Sequence, residues 1–99
     1  MQTVREISVQ ELKQWIDSGE AYQIVDVREL EEVQAANLGG LHIPVGDILK
    51  RRAEIKPDVR TAMLCRSGRR SEMAAYQLQA MGFTNLFNVR GGIVAYARE

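Results

Sequence analysis

The stretch VRTAMLCRSGRRSEMAAYQLQAMG, Val59 to Gly82, decides the fold. It opens as a short apolar run from Val59 to Leu64, the composition of a buried strand. Cys65 follows directly. Arg66-Ser67-Gly68-Arg69-Arg70 is then a polar turn. From Ser71 to Met81 the apolar residues Ala74, Ala75, Leu78 and Met81 return at helical spacing, and Gly82 suits a helix end. Strand, tight turn and helix in that order form one half of a parallel βαβ unit. In such folds ligands bind outside the carboxyl ends of the strands, where Cys65 falls.

The same alternation runs through the rest of the chain. Ser8-Val9-Gln10-Glu11 reads as a capping box, opening a helix with Val9, Leu12, Trp15 and Ile16 on one face and Gly19 at its end. Tyr22 to Val27 reads as a buried strand that turns polar at Asp26. Glu29 to Ala36 is a short helix with Glu29, Glu31 and Glu32 as a solvated face. Leu41 to Ile43 is a brief strand stopped by Pro44, and Ile48 to Ile55 reads as helical. Leu86 to Val89 is a last strand, and Gly91-Gly92 opens a terminal helix through Tyr96. This pattern predicts an α/β fold with a small, mostly parallel sheet of about five strands and helices on both faces. Trp15, Phe83, Phe87, Met63, Met73 and Met81 read as core.

With 99 residues the chain fits one domain, 1–99. At this length folding buries roughly 60–70% of the unfolded surface, enough for a core without staples. Formal net charge is zero, which argues against a nucleic-acid binder. The polar start, Met1 to Ser8, has no apolar run of signal length, and no stretch reaches a membrane span. One cysteine excludes an internal disulfide and makes the cytoplasm the default compartment. One cysteine and one histidine cannot build a thiolate-rich zinc site, so neither metal nor cofactor is expected. His42 reads as a half-buried strand residue.

The turn after Cys65 carries the chemistry. A short loop through Gly68 tends to aim consecutive N–H groups inward as an anion-binding nest. The following helix adds its positive end, and Arg66, Arg69 and Arg70 add cations. All favour thiolate over thiol. An ordinary thiol is only about 3% ionised at neutral pH, and a drop of roughly two units makes it mostly thiolate. A preformed thiolate is a nucleophile that needs no general base. With no second cysteine, whatever Cys65 carries must leave to an outside acceptor.

The loop Cys65 to Ser71 resembles the active-site loop of single-domain rhodaneses, the thiosulfate:cyanide sulfurtransferases. Asp26-Val27-Arg28-Glu29, Leu41-His42-Ile43-Pro44, Gly82-Phe83 and Gly91-Gly92-Ile93 resemble further family motifs in the same order. Two positions depart: Asn37 stands where histidine is common, and Tyr96 where tryptophan is usual. The resemblance implies a rhodanese-like fold. It also implies that Cys65 takes the outer sulfur of a small donor, thiosulfate or a persulfide, cradled by Arg66, Ser67, Gly68, Arg69, Arg70 and Ser71. A thiol or sulfur-relay protein would then accept it. Asp26 and Arg28 would be supporting partners near the loop. Arg66 and Arg69 are the candidates for meeting an anionic donor.

Two other functions compete. A Cys-x5-Arg phosphate loop, as in phosphatases and arsenate reductases, would require arginine at position 71, where Ser71 stands. A non-catalytic interaction module would have no use for an intact cysteine loop.

Overall fold

The computed structural model describes residues 3–99; Met1 and Gln2, the start of the polar stretch above, lie outside the described residues. Five strands, β1 (Glu6–Ile7), β2 (Gln23–Asp26), β3 (Leu41–His42), β4 (Thr61–Leu64) and β5 (Leu86–Val89), form one sheet in the order β1-β5-β4-β2-β3. Every pairing is parallel. The helices are α1 (Val9–Ser18), α2 (Leu30–Ala35), α3 (Arg69–Ala80) and α4 (Gly92–Ala97).

Side chains alternate across the sheet, so two clusters form. Ile24, Ala62, Leu64 and Val89 face Leu12 and Trp15 of α1 and Ile93 of α4. Val25, Met63 and Leu86 face Ala74, Ala75 and Leu78 of α3, together with Ile43, Ile48 and Ile55. All four residues of β4 are buried, as expected for the central strand of a parallel sheet. The paired alanines let α3 approach the sheet closely. Leu78 is 0% exposed, and truncating it to alanine would cost about 2–5 kcal/mol. At α1 the capping box forms in full: Glu11 N–H donates to Ser8 Oγ at 3.1 Å and Ser8 N–H to Glu11 Oε1 at 2.9 Å.

Three expectations need correction. Ile48 to Ile55 is not one helix. One short 3₁₀ turn, Val45–Asp47, precedes it and a second, Arg52–Glu54, lies within it: Ile48 and Ile55 are its only buried side chains, and the positions between them that would complete a helical face, Arg51 and Arg52, are charged. Met73 and Met81 are not core. They are 59% and 48% exposed: Met73 lies off the Ser71-Ala74-Ala75-Leu78 face, and Met81 stands beyond the last turn of α3. Finally, α3 starts at Arg69, two residues before Ser71, because Gly68 takes the N-cap position at φ 104°, a left-handed conformation favouring glycine.

No helix among the described residues is long and apolar enough to cross a membrane.

Candidate active site

The early start of α3 shortens the turn after Cys65 to Arg66, Ser67 and Gly68. Gly68 has no side chain to cap the helix, and the sulfur of Cys65 fills that role. Gly68 N–H donates to Sγ at 3.0 Å, and Ser71 Oγ lies 3.3 Å from Sγ. Helix N-termini leave N–H groups without partners, and here a thiol collects them. Cys65 is 1% exposed, at the base of this ring of donors. Burial pushes its thiol pKa up. The Ser71 hydroxyl and the N–H groups of Ser71, Gly68 and Ser67 outweigh that and hold the pKa below the ordinary thiol value. Hydrogen bonds, more than the arginine side chains, favour the thiolate.

Two further elements hold the turn. On one side α4 docks its first N–H groups onto the loop's outward carbonyls: Ile93 N–H donates to Cys65 O at 2.9 Å and Val94 N–H to Arg66 O at 3.1 Å. On the other side β5 supplies Asn88, 2% exposed, whose Nδ2 donates to Gly68 O at 3.0 Å. Ser71 Oγ donates to Asn88 Oδ1 at 2.5 Å.

The three loop arginines separate by role. Arg66 and Arg69 are exposed and form no ion pair among the described residues. Arg70 turns to α2 and forms a two-pronged pair with Glu32, at 2.7 and 2.8 Å. Glu32 Oε1 also accepts Glu29 N–H at 3.0 Å. The Arg70 hydrogen bonds, then the Glu29 N–H, lower the Glu32 pKa to about 2. Glu32, expected to be solvated, is instead the strut between α2 and the loop's helix. Arg70 is held in its charged form first by Glu32 and, more weakly, by the charge of Cys65.

Asp26 and Arg28 come together as a buried ion pair, Nη2 to Oδ2 at 2.8 Å. Arg28 also donates to Glu32 O of α2 at 3.2 Å and to Ala36 O, just past the helix end, at 2.5 Å. The pair stands beside Leu64 through the β2–β4 register, yet its hydrogen bonds run to α2 and not to the loop. His42 Nε2 donates to Arg28 O at 2.7 Å, a half-buried brace for the same corner. No cluster of three or more His, Cys, Asp or Glu side chains that could hold a metal occurs among the described residues.

Sequence reasoning missed Asn88. Its signal was the one that marked Asp26, a polar side chain inside an otherwise apolar strand.

A parallel α/β sheet carrying a thiol in an N–H cradle at a strand end defines a class of domain in which a cysteine handles an anionic or sulfur-bearing group. Within that class the chain belongs to the family of the rhodanese-like domain, whose model matches residues 8–99. It is 42% identical over 92 residues to the Bacillus subtilis (strain 168) "Putative sulfur carrier protein YrkF", covering 92% of this chain and 50% of that protein. The chain thus spans about half the length of that relative. It is 35% identical to a sulfurtransferase of Allochromatium vinosum, covering 97% of this chain and 91% of that one. Among solved structures it is similar to a rhodanese-like domain protein from Staphylococcus aureus, with TM-score 0.87 and 29% identity over 94% of this chain and 91% of the other.

Proposed function

We propose that the chain is a sulfurtransferase of the thiosulfate:cyanide type, with Cys65 as nucleophile and a Cys65 persulfide as intermediate. The observation that carries this reading is the hydrogen-bonded sulfur: Gly68 N–H at 3.0 Å and Ser71 Oγ at 3.3 Å hold a thiol whose pKa is lowered despite burial. Relatives named as a sulfurtransferase and a sulfur carrier support it.

In the first half-reaction the Cys65 thiolate attacks the outer sulfur of thiosulfate. A bond from Sγ to that sulfur forms while the donor's own S–S bond breaks, and sulfite leaves with the electron pair. In the second, an acceptor thiolate, or cyanide in an assay, attacks the outer sulfur. The persulfide bond breaks and Cys65 returns as thiolate. Neither half needs an oxidant, a reductant, a metal or a general base. Arg66, Ser67, Gly68, Arg69, Arg70 and Ser71 form the substrate cradle, with the exposed Arg66 and Arg69 facing an anionic donor. Asp26 and Arg28 support its corner.

Ser71 at the position a phosphate loop gives to arginine is 0% exposed, which disfavours the phosphatase reading. The acceptor in the cell is a thiol or a sulfur-relay protein, and a lone unpaired cysteine suits the reducing cytoplasm. Thiocyanate formation from thiosulfate and cyanide tests the reading. Turnover by the native chain and none by Cys65→Ser is expected; equal turnover by both contradicts it.

A further inference from the structure

Ser71 has one hydroxyl proton and two acceptors. Its Oγ lies 3.3 Å from Cys65 Sγ and 2.5 Å from Asn88 Oδ1. The Asn88 amide cannot turn over to relieve the competition, because its Nδ2 donates to Gly68 O at 3.0 Å and a flip would set oxygen against oxygen. All of this is enclosed: Ser71 is 0% and Asn88 2% exposed, so water does not substitute as a partner. Gly68 is itself the N–H donor to Sγ. One side chain on β5 therefore touches two of the residues that bond the sulfur, Ser71 and Gly68.

We propose that Asn88 is a positioning residue that competes with Cys65 for the Ser71 proton and so tunes the ionisation of the thiol. While Cys65 is a thiol, the Ser71 hydroxyl points to Asn88 Oδ1 and offers its lone pair to the S–H. When Cys65 ionises, its proton goes to solvent and the Ser71 hydroxyl rotates to the sulfur. Asn88 Oδ1 is then left buried without a donor. Asn88 thus opposes ionisation of the bare thiol. On the sulfur-transfer reading, loading moves the negative charge one atom outward, and Ser71 can return its proton to Asn88. Asn88 then favours the loaded cysteine over the empty thiolate.

The charged groups around the sulfur are few. Arg70 on α3 is held by Glu32, the Asp26–Arg28 pair closes the end of β2, and Arg66 and Arg69 lie exposed on the loop and the first turn of α3. β5 carries no titratable side chain, and Tyr96 of α4 packs in the cluster on the α1 side, with Lys13 over its ring. On β1, Glu6 stands opposite Asn88 in the register and pairs with Arg90, while Arg5 meets Asn88 through its backbone carbonyl; Glu72 follows Ser71 on α3. The side-chain hydrogen bonds of Asn88 run to Ser71 and Gly68 and to none of these charged groups, so its effect is separable from theirs.

The test is an ultraviolet titration of thiolate absorbance in a double-mutant cycle, with no second cysteine to confuse the signal. It reads the thiol whether or not sulfur is ever transferred, so its failure and that of the proposed activity are distinguishable. Asn88→Ala should increase the acid dissociation constant of Cys65 about tenfold, about one pKa unit. In a Ser71→Ala background the same change should have no effect. A decrease in the first case, which loss of a purely structural prop at Gly68 would give, overturns the proposal. So does an equal shift in both backgrounds. If Asn88→Ala does not fold, Asn88→Ser, one bond too short to reach Ser71, carries the same expectation. If neither folds, Ser71→Ala alone decides: a pKa raised by about one unit is expected, and an unchanged or lowered one overturns the proposal.

Discussion

Gly92 is packed directly on the backbone of Cys65: a Cβ at position 92 would stand 2.5 Å from the carbonyl oxygens of both Cys65 and Arg66. That approach lets Ile93 and Val94 donate to the two carbonyls, which turns the opposite side of the loop, its N–H groups, toward the sulfur. The helix α4 is thus part of the site through its backbone, by N–H groups that hold the loop's carbonyls.

Gly92→Ala should therefore damage the site from behind. The new methyl meets backbone, which cannot swing away, and Gly92 also sits at φ 59°, a conformation that costs other residues roughly 1–2 kcal/mol. A loss of about 2–4 kcal/mol in chemical denaturation is expected, combining strain and overpacking. The Cys65 pKa should rise as α4 withdraws. Native stability with a native thiol pKa would contradict this account of the loop.

The Glu32–Arg70 pair gives a pH signature. The folded-state pKa of Glu32 is lowered to about 2, below its ordinary value. Its contribution to stability is therefore complete above the ordinary carboxylate range and is lost as pH falls through about 2. Because both side chains are about a third exposed, solvent screening limits it to about 1 kcal/mol. Glu32→Gln should melt a few degrees lower than the native chain at neutral pH, and the gap should close on acidification toward pH 2. A gap that is constant with pH would assign the difference to packing.

Breaking the buried Asp26–Arg28 pair should be far more costly. Asp26→Ala leaves a guanidinium 3% exposed without its carboxylate, a loss of about 3–5 kcal/mol. In a chain of this size each kcal/mol is about 4–8 °C, so a large drop in Tm is expected. The pair's bonds run to α2, so the fraction still folded at low temperature should load sulfur at a rate within about threefold of native, under 1 kcal/mol of barrier. A folded variant unable to load would make Asp26 a participant in the chemistry.

Arg66 and Arg69 are exposed and unpaired among the described residues, and on the proposed function they supply the charge an anionic donor meets first. Arg66→Ala with Arg69→Ala should raise KM for thiosulfate several-fold with a smaller change in kcat. Since exposed charges are screened beyond about 10 Å at 0.1 M salt, added salt should shrink the difference. An unchanged KM at low salt would remove both from donor binding.

Much of this was legible before the fold was known. The strand-turn-helix around Cys65 follows from local apolar periodicity, and the Ser8–Glu11 capping box from spacing alone. What stayed hidden depends on strand order. β5 lies beside β4 only because the sheet runs β1-β5-β4-β2-β3, and this brings Asn88 to Ser71 and Gly68 from another part of the chain. Gly91-Gly92 could be read as a helix start but not as a contact with the Cys65 carbonyl. Glu32 looked solvated because nothing local tells that Arg70 will face α2. Met73 was misplaced by composition: a large apolar side chain suggests core, while its position on α3 turns it to solvent.

The central claim is that Cys65 carries sulfur, and intact-mass spectrometry of the reduced, folded chain after incubation with thiosulfate tests it most directly. The account predicts a species one sulfur atom heavier, mapped to Cys65 and returned to the original mass by cyanide. Unmodified mass after that incubation, in protein shown to be folded and reduced, would contradict it.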